Sequence, residues 1–280
     1  MELYKQLLLD GSSVMTQAYE HSAQLASNLE PHVQPQAQAS VMDALKQASS
    51  RGDELQIRRL VMTITDTSLR DSATLDTPLH VLAGLSDPRP IDMLLARGFD
   101  AQARNINGWY PHHFAAVYNR VEPMARLVQA TDDSDLTDFN GATPLHFATQ
   151  YRAINTARWL LDAGADPSAR DCNADTPLHF AAMSGAPPSL VHALLEAGAN
   201  PDALDHCRDT PLHIAVEYNR IQMIRALLRA RCNVNAINLD GRTPDAMPPV
   251  YPSICNDEGV FLVGHSRYVR QAFDRRSAAT

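Results

Sequence analysis

A tetrad that returns at an almost constant step constrains this chain more than any other feature. Thr77, Thr143, Thr176 and Thr210 each open a Thr-Pro-Leu-His run; Tyr110 opens the variant Tyr-Pro-His-His and Thr243 the variant Thr-Pro-Asp-Ala. Successive starts lie 33, 33, 33, 34 and 33 residues apart. Self-similarity at such a period predicts one supersecondary unit laid down repeatedly, each copy burying its apolar face on the next.

The stretch Asp175 to Asn200 gives the frame in full. Threonine N-caps a short first helix and proline fills its first turn, where a missing N–H costs nothing. The leucine and two small residues that follow, Ala181 and Ala182 here, face the core. Gly185 ends the first helix, and Asn119 and Asn219 hold that place in other copies because asparagine also tolerates a left-handed cap. The pairs Leu94-Leu95, Leu127-Val128, Leu160-Leu161, Leu194-Leu195 and Leu227-Leu228 carry a second helix into the core, and Gly98, Gly164 and Gly198 end it. The copy at Thr176 carries one extra residue in Ala186-Pro187-Pro188, which a loop absorbs cheaply.

On these residues the chain resembles ankyrin-repeat proteins. The resemblance implies an all-α solenoid of stacked helix-turn-helix units with β-hairpin loops over residues 43–247. Repeats start near 43, 77, 110, 143, 176 and 210, with a partial one from 243. The copy at Asp43 is degenerate: Asp43-Ala44-Leu45-Lys46 replaces the tetrad, and Lys46, Gln47, Ser49, Ser50 and Arg51 suit a solvated terminal cap. Residues 1–42 read as a helical segment, with Val14, Ala18, Ser22, Leu25 and Leu29 on one face, followed by an extended connector from Pro31 to Ser40. That segment is expected to cover the first repeat. Residues 248–280 read as a divergent C-terminal cap or tail.

Composition excludes several functions. A net charge of −8 disfavours a phosphate backbone as partner. Cys172, Cys207, Cys232 and Cys255 are 35, 25 and 23 residues apart, a spacing that fits neither a zinc ribbon nor a redox pair. No apolar run reaches the length of a membrane span or a signal-peptide core, so a cytoplasmic protein is expected, or one in a host cytosol if the chain is a secreted effector. Of the 24 basic residues only Lys5 and Lys46 are lysine; genome composition and avoidance of lysine modification both account for that.

Eleven histidines invite a catalytic or metal reading. Five of them, His80, His113, His146, His179 and His213, are the fourth residue of the frame. The resemblance implies that each ring ties neighbouring repeats together by hydrogen bonds. Rings one helix-packing distance apart, about 10 Å, cannot share a metal bound at about 2 Å. His206-Cys207 and Gly264-His265-Ser266 lack the geometry of a nucleophile and its base. No catalytic residue, cofactor or metal is expected, and the chain reads as a non-enzyme.

Binding residues are sought among positions that the frame leaves free. Four before each start, at the loop tips, stand Ile106, Phe139, Cys172, His206 and Leu239; Trp109 immediately precedes Tyr110. Eight after each start stand Leu85, Tyr118, Tyr151, Ser184 and Tyr218. In the family these tips and first-helix surfaces line a concave groove, and tyrosine and tryptophan dominate interface hot spots. Partner binding is therefore assigned to Ile106, Trp109, Tyr118, Phe139, Tyr151 and Tyr218. Asp138, Asp171 and Asp205 share a frame position where aspartate closes the turn on backbone N–H groups. The expectation is a protein-protein interaction module, monomeric alone. Its settings are an intracellular regulator, a bacterial effector with eukaryote-like repeats acting on a host protein, or a substrate adaptor of a larger complex such as a ubiquitin ligase.

Overall fold

The computed structural model describes residues 36–247. The N-terminal segment expected to cover the first repeat, and the C-terminal cap, lie outside these residues. Helices come in pairs: α1 (Gln36–Arg51) and α2 (Glu54–Thr63), α3 (Pro78–Ala83) and α4 (Arg89–Leu95), α5 (Pro111–Val117) and α6 (Val121–Thr131), α7 (Pro144–Gln150) and α8 (Ile154–Asp162), α9 (Pro177–Ser184) and α10 (Pro188–Glu196), α11 (Pro211–Glu217) and α12 (Ile221–Arg229), then a 3-10 turn at Pro244–Ala246. The described residues contain no strand. The expected hairpins are turns, tied tip to tip by single backbone bonds such as Ile106 N–H to the Thr74 carbonyl at 2.9 Å.

The extended connector is corrected by α1, which begins at Gln36. Alanine and glutamine after Pro35 favour a helix, and proline suits a helix start rather than its interior.

Contacts divide the chain at Ala165 and Asp166. In the first unit, α1, α3, α5 and α7 pack in sequence as one layer, and α2, α4, α6 and α8 as another. In the second unit α9 packs on α11 and α10 on α12, with the 3-10 turn against α11. Of each aliphatic pair on the second helices, the first member is the core residue: Leu94, Leu127, Leu160, Leu194 and Leu227 are fully buried. Each contributes about 1.5–3 kcal/mol by leaving water.

The frame histidines are buried and act as caps. The backbone N–H of Thr77, Tyr110, Thr143, Thr176 and Thr210 donates to Nδ1 of the histidine three residues on, at 3.0–3.1 Å. Because Nδ1 accepts, Nε2 carries the ring proton. It donates to a carbonyl of the following loop: Trp109 for His80 at 2.9 Å, Ala142 for His113, Asp209 for His179 and Arg242 for His213 at 3.1 Å. One ring thus closes its own helix start and fixes the next repeat. Burial holds His80 and His213 below the ordinary imidazole range and drives His113 down to about 3.

Lys46 corrects the picture of a merely solvated cap. It stands in the histidine position, and its ammonium donates to Asp71 Oδ2 at 2.6 Å, on a side chain that is 9% exposed. A cation in that place makes the inter-repeat link through a carboxylate instead of a carbonyl. Arginines add further links. Arg120 Nε donates to the Gly84 carbonyl at 2.9 Å, Arg97 to that of Val61 at 2.6 Å, and Arg220 to that of Met183 at 2.9 Å. At these places a planar fork reaches a carbonyl with less entropy lost per bond than lysine would lose, a structural use for part of the arginine excess.

One core position departs from the frame. His112 fills the leucine place of its repeat and is fully buried. Nε2 lies 3.2 Å from Thr131 Oγ1, whereas Nδ1 has no hydrogen-bond partner among the described residues. Burial drives the ring down to about 4. His112→Leu is expected to stabilise the chain by about 1–2 kcal/mol by removing an orphaned buried acceptor. A urea midpoint that fails to rise would contradict this.

Candidate functional site

The assigned residues Ile106, Trp109, Tyr118, Phe139 and Tyr151 all fall in the first unit. At the loop tips, Phe139 is 64% exposed, the most open aromatic among them. It is nevertheless fixed in place. The glycine at 108 adopts φ +77°, and a Cβ there would stand 2.5 Å from Phe139 Cγ, so only glycine lets the two tips touch. On the other side Arg104 places its guanidinium 5.4 Å from the Phe139 ring and 5.0 Å from the Tyr110 ring, and its Nε donates to the Tyr110 hydroxyl at 2.6 Å. Ile106, on the neighbouring tip, is half-buried.

On the first-helix surface, Tyr118 is 44% exposed and lies against Gly84, where a Cβ would meet its ring at 3.0 Å. Tyr151 is half-buried. Burial and then the neighbouring Tyr118 push its phenol above the usual range. Tyr118 is the more exposed of the two.

Two assignments change in character. Tyr218 is only 6% exposed, so its side chain offers a partner almost no area, although it occupies the same frame position as Tyr118. Exposure at that position is set by the packing around each copy and not by the frame. Trp109 is a half-buried packing centre. Its ring meets Phe147 edge-on at 4.6 Å and Phe114 at 5.8 Å, and stacks on His113 at 6.3 Å. Its backbone N–H donates to Asn105 and its carbonyl receives His80. It supports the surface more than it belongs to it.

The turn aspartates close their loops as expected: Asp138 Oδ1 accepts from the N–H groups of Asn140 and Ala142, and Asp171 Oδ1 from those of Asn173 and Asp175, all at 2.8 Å. Asp205, Cys207 and Asp209 bring their ligand-type atoms within 4.8 Å of one another, and two of the three already serve the loop turns. Asp205 Oδ1 already accepts the Asp209 N–H and Asp209 Oδ1 the Asn238 amide, the bonds that close the loops.

A family model of ankyrin repeats, in three copies, matches residues 79–171 and 178–245. The chain belongs to the ankyrin-repeat family. Among solved structures, the ankyrin-repeat domain of Bcl-3, described as a unique member of the IkappaB protein family, is similar with a TM-score of 0.61 and 25% identity, over 73% of this chain and 92% of that one. No curated protein matches the sequence. The ankyrin-repeat solenoid is a protein-protein interaction fold and typically non-catalytic. No helix among the described residues is long and apolar enough to cross a membrane.

Within this ankyrin-repeat surface, sequence reasoning missed Arg104 and Gly108. Both carried a signal. Gly108 sits two before Tyr110, the place of Gly141 before Thr143, and Arg104 lies six before an aromatic that replaces the usual threonine.

Proposed function

We propose that the first unit binds another protein, without covalent chemistry, through Phe139 and Ile106 at the tips and Tyr118 and Tyr151 on the first-helix surface. One observation carries the reading: Phe139 is held open to solvent by Gly108 beneath it and Arg104 beside it, an arrangement that fixes a large apolar ring where water would otherwise disfavour it. A ring already ordered loses little entropy on binding, and aromatic anchors of this kind supply most of an interface's energy. A regulator that sequesters its partner fits this best. The effector and adaptor settings draw no support from the described residues. Exposed Cys172 and Cys207 suit a reducing cytosol.

Phe139→Ala and Tyr118→Ala are each expected to weaken partner binding by about 2 kcal/mol, roughly 30-fold. Photo-crosslinking from position 139 identifies the partner, and calorimetry with that partner measures the loss. Full affinity in both variants refutes the surface.

A further inference from the structure

Inside the first unit a second helix lies between two of its kind: α4 packs on α2 and α6, and α6 on α4 and α8. Among the described residues α2 is the first of this layer and has only α4 for such a neighbour. A solenoid's end repeat needs a polar outer face to stay in solution. Here Leu55 is 70% exposed and Met62 62%. They stand two helical turns apart and share a face with Arg59 between them. Leu55, Arg59 and Leu60 line an open groove of about 510 Å³ together with Asp53, Gln56 and Thr63. Met62 is fixed beside it. Arg97, whose guanidinium donates to the Val61 and Ile64 carbonyls, also reaches Met62 Sδ at 3.3 Å.

We propose that residues 14–30 of this chain dock along this face of α2 and extend the second-helix layer by one element. The sequence supplies the matching stripe, with Val14, Ala18, Leu25 and Leu29 on one side of a helix and Ser22 among them.

The connection is long enough. α1 and α2, of 16 and 10 residues, meet at the tight turn of Gly52 and Asp53 and run antiparallel. The start of α1 therefore lies about 9 Å beyond the Thr63 end of α2. A helix packed on α2 stands about 10 Å to its side. The five residues from Pro31 to Pro35 span up to about 17 Å, which covers both offsets. The docked segment then runs parallel to α2, with Leu25 and Leu29 towards Met62 and Ala18 and Ser22 towards Leu55.

Charge agrees with that direction. Residues 1–35 carry Glu2, Asp10, Glu20 and Glu30 against Lys5 alone. Glu30 arrives at the end of α2 where Arg97 stands, on the side of Arg59. The acidic groups of α2 itself, Asp53 and Glu54, lie at the opposite end. The docking uses the second-helix layer and leaves the loop tips and the first-helix surface to a partner.

The test uses the full chain with photo-reactive benzoylphenylalanine in place of Met62, and separately of Leu55. Each is expected to form a crosslink within one chain, placed by peptide mass spectrometry between residues 14 and 30. Leu25→Asp together with Leu29→Asp is expected to abolish it, with the fluorescence of Trp109 and Trp159 unchanged as the sign that the repeats remain folded. Ser22→Leu, which completes the stripe, is expected to raise its yield. A crosslink joining two copies assigns the face to self-association and overturns the proposal. So does a bond confined to residues 36–247, the absence of any bond to residues 14–30, or a yield that neither change moves.

Discussion

Alanine at Trp109 is expected to destabilise the first unit by about 3 kcal/mol. The ring joins three first-helix side chains, Phe114 and His113 of α5 and Phe147 of α7, at centroid distances of 5.8, 6.3 and 4.6 Å. Removing it leaves a void between two repeats that pack through that layer. Rigid helices close such a void only in part, so cavity and transfer terms add. Phe139→Ala is the control. Its ring is mostly in water already, and the expected loss of stability is under about 1 kcal/mol. Urea unfolding followed by fluorescence of the remaining tryptophan, Trp159, measures both. A Trp109→Ala midpoint equal to that of Phe139→Ala would remove Trp109 from the packing and return it to the binding surface. The contrast also decides how partner binding is tested, since affinity lost in Trp109→Ala mixes a damaged scaffold with a lost contact.

The period of the tetrad made the paired helices, the buried leucines and the histidine links legible, because each depends on what a residue does inside its own repeat or at a fixed offset in the next. The turn aspartates were legible for the same reason. Side-chain exposure was not. Tyr118 and Tyr218 occupy one frame position and differ from 44% to 6% exposed, and Tyr118 lies against Gly84. A single frame describes the average unit and says nothing about which pairs of departures meet. Lys46 meeting Asp71, and Arg104 meeting the tyrosine that stands in the threonine place at Tyr110, are departures of that kind. The candidate surface lies beside such a coincidence, which a reading of one repeat at a time does not reach.

His113→Ala is expected to cost about 2–4 kcal/mol, and the loss divides into parts that can be separated. The imidazole is fully buried, accepts the Tyr110 N–H at 3.0 Å through Nδ1 and donates to the Ala142 carbonyl at 3.1 Å through Nε2. Alanine orphans the Tyr110 N–H at a helix start. The Ala142 carbonyl suffers less, because it also receives the Asp138 N–H at 3.0 Å. The missing ring opens a cavity beside Phe147, 5.1 Å away edge-on. Glutamine at this position can reach back to the N-cap N–H as a capping-box residue does, so His113→Gln is expected to recover part of the loss, and the difference between the two variants reports the cap. The pH dependence is a second check. The folded chain keeps His113 neutral down to about 3, whereas an unfolded histidine takes up its proton near 6.5. The parent therefore loses stability as pH falls from 6.5 towards 3, and a chain without this imidazole lacks that component. The gap between parent and His113→Ala should narrow steadily on acidification. A gap that stays constant between pH 7 and about pH 4.5 would mean that the ring is protonated in the fold, and the Nδ1 acceptor role assigned to every frame histidine would fall with it.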